Sequence, residues 1–322
     1  MANGPKKFFP RPLALRGIID SQFFESNTAM SKLGSTAIGI LLVVFAAADA
    51  FAQPSKRNPR EILDATNRMR DAQQFADLAN QPTGLLVPLY VYPANIHTNA
   101  DYNRLIELKK SHPRVPVWAI INPASGPGTE IDANYMKAID RLRGAGIVTL
   151  GYVSTEYGKR GQQAVQDDLG TWQKLYPKVQ GVFFDEMLYE DTSAAVEQQK
   201  SYRQFATRKG MWPTVANPGT ATPERFFMGE VADVIVVHEG ADYPTEAAIK
   251  GDYFGGYADY PPWTRCVLVH TRPKFDAAEF ARIKKYVRWV YVTDDVFVDV
   301  KKDNPWDRLP KYLEAIFEAL EK

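Results

Sequence analysis

The chain has one cysteine, Cys266, in 322 residues, so no disulfide can form within it. It has only four histidines: His97, His112, His238 and His270. None falls in an HxH or HExxH pairing, which argues against a zinc-type centre. GxSxG, GxGxxG and the P-loop are missing, and with them the signatures of a serine-hydrolase elbow, a dinucleotide fold and a nucleotide triphosphatase. Charge excess is missing too. With 39 basic and 38 acidic side chains, the chain lacks the basic stripe of a nucleic-acid surface. A cysteine nucleophile is disfavoured because Cys266 lies near the start of an apolar run. What is present is 45% hydrophobic residues, ample for a core, and a high aromatic share that includes 16 Tyr and 6 Trp.

Residues 1–52 read as a separate object. The run 33–48 (LGSTAIGILLVVFAAA) carries no charge. It has the length of a signal-peptide core and is short for a membrane span. Ala50-Phe51-Ala52 fits a small-x-small cleavage site, leaving Gln53 as the mature start, and Met30-Ser31-Lys32 is a suitable initiator region. The expectation is a secreted or periplasmic protein with no membrane span after cleavage; an uncleaved anchor through 33–48 is the alternative. Residues 53–83 are polar and helix-prone after Pro59, a linker with a lead-in helix.

From 84 to 322 an alternation sets in. Apolar runs at 84–92, 115–121, 147–153, 179–184, 213–216, 234–237, 265–270 and 289–293 read as strands. Between them lie helical patterns, with a closing amphipathic helix at 306–320. Continuous apolar runs mark strands buried on both faces. Eight such units over about 240 residues predict a (β/α)8 TIM-type barrel in the α/β class. An open doubly wound sheet is the alternative, weakened by the lack of a glycine fingerprint.

In such a barrel the C-terminal strand ends converge on one mouth. Here they carry Tyr90 and Tyr92, Asn122, Tyr152 and Ser154, Asp185 and Glu186, Asn217, His238 and Glu239, His270, then Thr293 and Asp294. The fourth run is the most telling: an apolar strand, VFF, ends in two adjacent carboxylates. Asp185 could simply cap the next helix. Carboxylates and aromatic rings gathered at one mouth, without a metal motif, point instead to glycoside cleavage. That reaction needs one group to protonate the leaving oxygen and one to attack or stabilise the anomeric carbon.

The stretches LLVPLYVYP, WAIINPASGPG, GIVTLGYVSTEYG, VQGVFFDEM, TVANPGT and VIVVHEG occur in that order. Together they resemble the spherulin-4 family, from about residue 84 to the C-terminus; IINPASGPG at 120–128 and FFDE are the most specific pieces. The family includes fungal galactosaminogalactan hydrolases, secreted or membrane-anchored. The resemblance implies a (β/α)8 glycoside hydrolase cutting inside α-1,4-linked galactosamine or N-acetylgalactosamine polymers. It implies that Asp185, Glu186 and Glu239 are the essential acids. Asp185 is then the candidate nucleophile or charge stabiliser, Glu239 the acid/base and Glu186 a tuning group, with roles exchangeable. The candidate sugar contacts are Tyr90, Tyr92, Asn122, Tyr152, Asn217 and His238. No cofactor is implied. The expected partner is a polysaccharide, the expected state a monomer, and the expected stereochemistry retention. A non-catalytic carbohydrate-binding or stress-related protein is the alternative, and a hydrolase of another polymer, such as a peptidoglycan or glucan, is a third reading.

Overall fold

The eight apolar runs each become a parallel strand in a computed structural model, which describes residues 72–74, 76–252, 256–298 and 304–322. The strands are β1 Gly84–Pro88, β2 Val117–Ile121, β3 Val148–Ser154, β4 Gly181–Asp185, β5 Thr214–Ala216, β6 Val234–Gly240, β7 Arg265–Val269 and β8 Trp289–Val292. Each pairs with the next, and β8 returns to β1 through Gly84↔Trp289 and Leu85↔Val290. The sheet is therefore a closed eight-stranded barrel, the expected (β/α)8 fold, and closure leaves no free strand edge. Residues from Asp77 onward form one unit that contains it. The signal-like run 33–48, Met30, Gln53 and most of the linker lie outside the described residues; 72–74 and 76–80 are helical, where the lead-in helix is expected.

The helices are α1 Ala100–Ser111, α2 Ala133–Gly144, α3 Gln162–Leu175, α4 Ser193–Arg208, α5 Arg225–Met228, α6 Glu246–Lys250, α7 Ala277–Ile283 and α8 Leu313–Glu321. Their starts follow side-chain capping: Asn99, Asp132, Thr192, Thr245 and Asp276 each accept a backbone N–H of the first turn. One expectation shifts. The closing helix does not begin at 306 but at Leu313, because Pro305 and Pro310 hold residues 304–312 in turns. That frees Trp306 for the barrel mouth.

Residues paired across a sheet share a face, so register sorts the lumen from the outer layer. At the N-terminal end the lumen is closed by the stacked rings of Trp118 and Trp289, centroids 3.5 Å apart. Gly84 lies between their strands, and a Cβ there would stand 3.0 Å from Trp289 and 2.6 Å from the Pro116 carbonyl. On the outer face Trp172 of α3 lies flat on Gly151 of β3, where a Cβ would come within 2.6 Å of the indole. The same indole donates to the Tyr152 carbonyl at 2.9 Å, so one glycine seats a helix and fixes a strand end.

Two alanine substitutions should separate close approach from chain freedom. Gly151→Ala should destabilise by about 1–3 kcal/mol through overpacking against Trp172. Gly170→Ala, in α3 with nothing within 4 Å of its Cβ, should stabilise by about 0.5–1 kcal/mol. Urea titrations of the two variants measure both signs.

Candidate active site

The lumen is largely apolar until the C-terminal end of the strands, where β4 and β6 bring two acids into it. Asp185 ends β4, pairs with Ser154 of β3 and faces inward with Phe183 two residues before it. Glu239 reaches the same space by a less regular route. Val236 of β6 pairs with Cys266, but His238 pairs with Val267, so Val237 is an extra residue. Strict alternation from Val236 would turn His238 inward and Glu239 outward. The bulge at Val237 reverses that, because a one-residue slip exchanges the faces of a strand. His238 instead bonds the Asp242 carbonyl at 2.8 Å, and burial holds its imidazole below the usual histidine range.

Asn217, just after β5, stands between the two acids. Its amide nitrogen donates to Asp185 Oδ1 at 2.8 Å and to Glu239 Oε2 at 2.7 Å. Its amide oxygen accepts the Gly219 N–H at 3.0 Å, which fixes which end of the amide faces the carboxylates. Two oxygens on the 2.8 and 2.7 Å legs of one nitrogen can be no more than about 5.5 Å apart. Tyr152 donates its hydroxyl to Asp185 Oδ2 at 2.8 Å. Tyr90 meets Tyr152 edge-on at 5.9 Å, and its phenol is pushed up by burial and then by Asp185, Tyr152 and Glu239.

The acids are placed in different proton environments. Burial raises the Glu239 carboxyl to about 7; Asp185 adds to the rise, and donors from Asn217 and the Trp306 indole oppose it. Burial also raises Asp185, but Tyr152, the Glu186 backbone N–H and Asn217 hold its charged form. Environments that push two carboxyls apart are how acid and base roles are divided.

Glu186 is held in the left-handed region, φ 54°. Its carboxylate accepts from Ser154 Oγ at 2.5 Å and its carbonyl from Thr155 Oγ1 and the Tyr157 N–H, both at 2.7 Å. Such a conformation costs a non-glycine residue about 1–3 kcal/mol and persists where its surroundings dictate it.

The structure thus brings together Asp185, Glu239, Asn217, Tyr152 and Tyr90, with Glu186 alongside. Tyr92 and Asn122 are used elsewhere. Exposed Tyr92 bonds Asp132 and Asn134 at the start of α2; Asn122 accepts the Gly126 N–H and closes its own loop. Asp294 is tied to Arg308 and the Lys311 N–H, and anchors the segment before α8. His270 bonds Thr271 and meets Phe297 and Trp306 edge-on. The Cys266 thiol is buried and its pKa is pushed up, which does not favour a thiolate. Trp306 is a site residue that strand-end reasoning misses. It reaches Glu239 from a turn, and its carbonyl receives the Tyr90 N–H at 3.2 Å. The only signal for it is an aromatic residue in the Asn-Pro-Trp turn. Among the described residues no group of three or more His, Cys, Asp or Glu is arranged to hold a metal ion.

Residues 84–320 match the model of the Spherulation-specific family 4. The chain belongs to this spherulin-4 family. Spherulin-4 of Physarum polycephalum is 31% identical over 189 residues, covering 58% of this chain and 51% of the Physarum protein. That match spans about half the length of the Physarum protein. The crystal structure of Aspergillus clavatus Sph3 in complex with GalNAc aligns with a TM-score of 0.63 at 23% identity, over 76% of this chain and 99% of that one. At that identity the two proteins share the barrel. In this spherulin-4 chain the matched region holds all eight strands and every acid described above.

A raised carboxyl pKa means that the folded chain keeps a proton the unfolded chain has already released. Stability therefore falls as pH rises from the ordinary glutamate value of 4.5 to about 7. Glu239→Gln should lose the Glu239 share of that slope, on the order of 2–3 kcal/mol between the two pH values. Denaturant midpoints of both proteins from pH 4 to 8 measure it; parallel curves would show that the carboxyl is not perturbed.

Proposed function

We propose that this spherulin-4 protein is a glycoside hydrolase that cuts within an amino-sugar polysaccharide of the α-1,4-galactosamine or N-acetylgalactosamine type. The observation that carries the reading is the pairing of Asp185 and Glu239 on one Asn217 nitrogen, in unequal proton environments. The GalNAc bound by the Aspergillus protein of the same fold supports the substrate class.

In this reading an Asp185 oxygen attacks the anomeric carbon while protonated Glu239 gives its proton to the departing sugar oxygen. The C–O bond to the leaving sugar breaks and a glycosyl ester of Asp185 forms. Glu239, now a carboxylate, takes a proton from water, whose oxygen attacks the same carbon and releases Asp185. Two inversions give net retention. The oxygen separation of at most about 5.5 Å supports this over inversion, which sets its carboxyls about 6.5–9.5 Å apart to admit a water. Tyr152 and Asn217 hold Asp185 charged and aimed; Trp306 and Asn217 set the proton affinity of Glu239. Ser154 holds Glu186 beside them, and Tyr90 stands ready as a wall for the sugar.

The reading extends to export. The run 33–48 and the Ala50-Phe51-Ala52 site support a cleaved leader, and no helix among the described residues is long and apolar enough to cross a membrane. N-terminal sequencing of the exported protein should begin at or near Gln53; a chain retaining Met30 would mean an anchor.

Asp185→Asn and Glu239→Gln should fold and lose about 10²–10⁴ in rate on the polymer. Proton NMR of the first product should show the α-anomer. The alkaline limb of kcat/KM should fall near pH 7, and Trp306→Phe, which removes a donor to the Glu239 carboxylate, should move that limb upward. A fully active Asp185→Asn variant would remove Asp185 from the chemistry; the cap of the next helix is Thr192.

A further inference from the structure

Just outside the acid pair, two tyrosines do something the mechanism does not use. Tyr157 and Tyr189 are 43% and 41% exposed, rare for large rings in this barrel. Their centroids lie 6.3 Å apart at 84°, edge to face, so the pair presents a stepped aromatic surface to solvent. They come from two different loops. Tyr157 follows β3 and Tyr189 follows β4, the strands that carry Tyr152 and Asp185.

Their link to the acids is direct. The Tyr157 N–H donates to the Glu186 carbonyl at 2.7 Å, and Thr155 Oγ1 bonds the same oxygen. Tyr157 is itself left-handed, at φ 53° and ψ 41°, and Glu156 before it has φ 49°. With Glu186, three non-glycine residues in the left-handed region thus meet where these two loops join. A glycine would relax the backbone at Tyr157, yet the ring is there. Its hydroxyl points toward Gly219 after β5, where a Cβ would lie 3.9 Å away. Gly219 is also the residue whose N–H orients Asn217. The ring thus borders the same opening that the acids line. Burial first, then Glu186, Asp185 and Glu239, push the Tyr157 phenol up, so it stays a neutral donor and apolar face.

We propose that Tyr157 and Tyr189 form an outer sugar subsite, an aromatic ledge that stacks against the C–H face of a pyranose ring beyond the two flanking the cleaved bond. The occupant is a further unit of the same polymer, because the ledge is continuous with the acid site through the Glu186 carbonyl. This rests on the glycoside reading above and adds to it a reason for cutting within a chain. A ring held on the ledge places the chain so that more than one unit lies past the scissile bond.

The test is binding by the full-length Glu239→Gln protein, which holds substrate without turning it over, titrated with α-1,4-linked oligomers of two and of six units. The parent should bind the hexamer more tightly than the dimer. Tyr189→Ala and Tyr157→Gly should each weaken the hexamer about tenfold and the dimer less than twofold, which removes the length preference. Tyr189→Phe should keep it. Tyr157→Gly relaxes a left-handed backbone, so its melting temperature should hold or rise, separating lost binding from lost structure. An equal loss for both lengths, or no loss for the hexamer, would overturn the ledge while leaving the central site intact. A parent that binds neither oligomer would overturn both the ledge and the glycoside reading.

Discussion

Two carboxylates want to be apart, and this barrel holds them together through one amide. Water would separate them, and burial alone would protonate both. Asn217 supplies a positive hydrogen to each and uses its own oxygen to hold itself still against Gly219. Around that amide the rest of the mouth is arranged. Tyr152 supports Asp185 from one side, and the Trp306 indole supports Glu239 from the other. The unequal supply of donors, three to one acid and two to the other, leaves the two carboxyls of one mouth in different proton environments.

The two ends of the barrel follow different rules. At the closed end, stacked Trp118 and Trp289 fill the lumen and glycine makes room for them. That arrangement is apolar, tight and favourable. At the open end the chain accepts left-handed glutamates and tyrosine, a raised carboxyl and phenols pressed against charge. None of these favours the folded state. The stability that tolerates them comes from the eight-strand core beneath, buried on both faces.

The barrel was legible because its signal is repeated: eight apolar runs, each buried strand matching one within a few residues. The Asp185–Glu186 pair was legible for a related reason. A strand of VFF that runs straight into two acids puts charge where only a polar cleft or a helix start can hold it. Trp306 was not legible. Its helix-like spacing with Leu309 and Leu313 placed it in a closing helix, and only the prolines around it argued otherwise. Tyr92 and Asn122 were legible as strand-end residues but not as loop fasteners, because alternation says where a strand points and nothing of where its following loop turns. Glu239 stood in the right stretch, yet the pattern that finds strands would have faced it outward. Residue types do not announce a bulge.

That bulge has a consequence for how the site can be lost. The acid pair depends on a count of residues as much as on their identity. Pairing Val237 with Val267 in a regular ladder would leave every side chain of the mouth in the chain and the apolar pattern of β6 unchanged. It would set His238 opposite Leu268, swing an imidazole into the lumen and send the carboxylate of Glu239 out among the helices. Deleting Val237, by contrast, would remove the extra residue and leave His238 and Glu239 on the faces they now occupy. Among relatives of this fold, an odd spacing from the sixth strand's inward residues to its glutamate needs such a bulge to keep the acid in the lumen, and an even spacing does not.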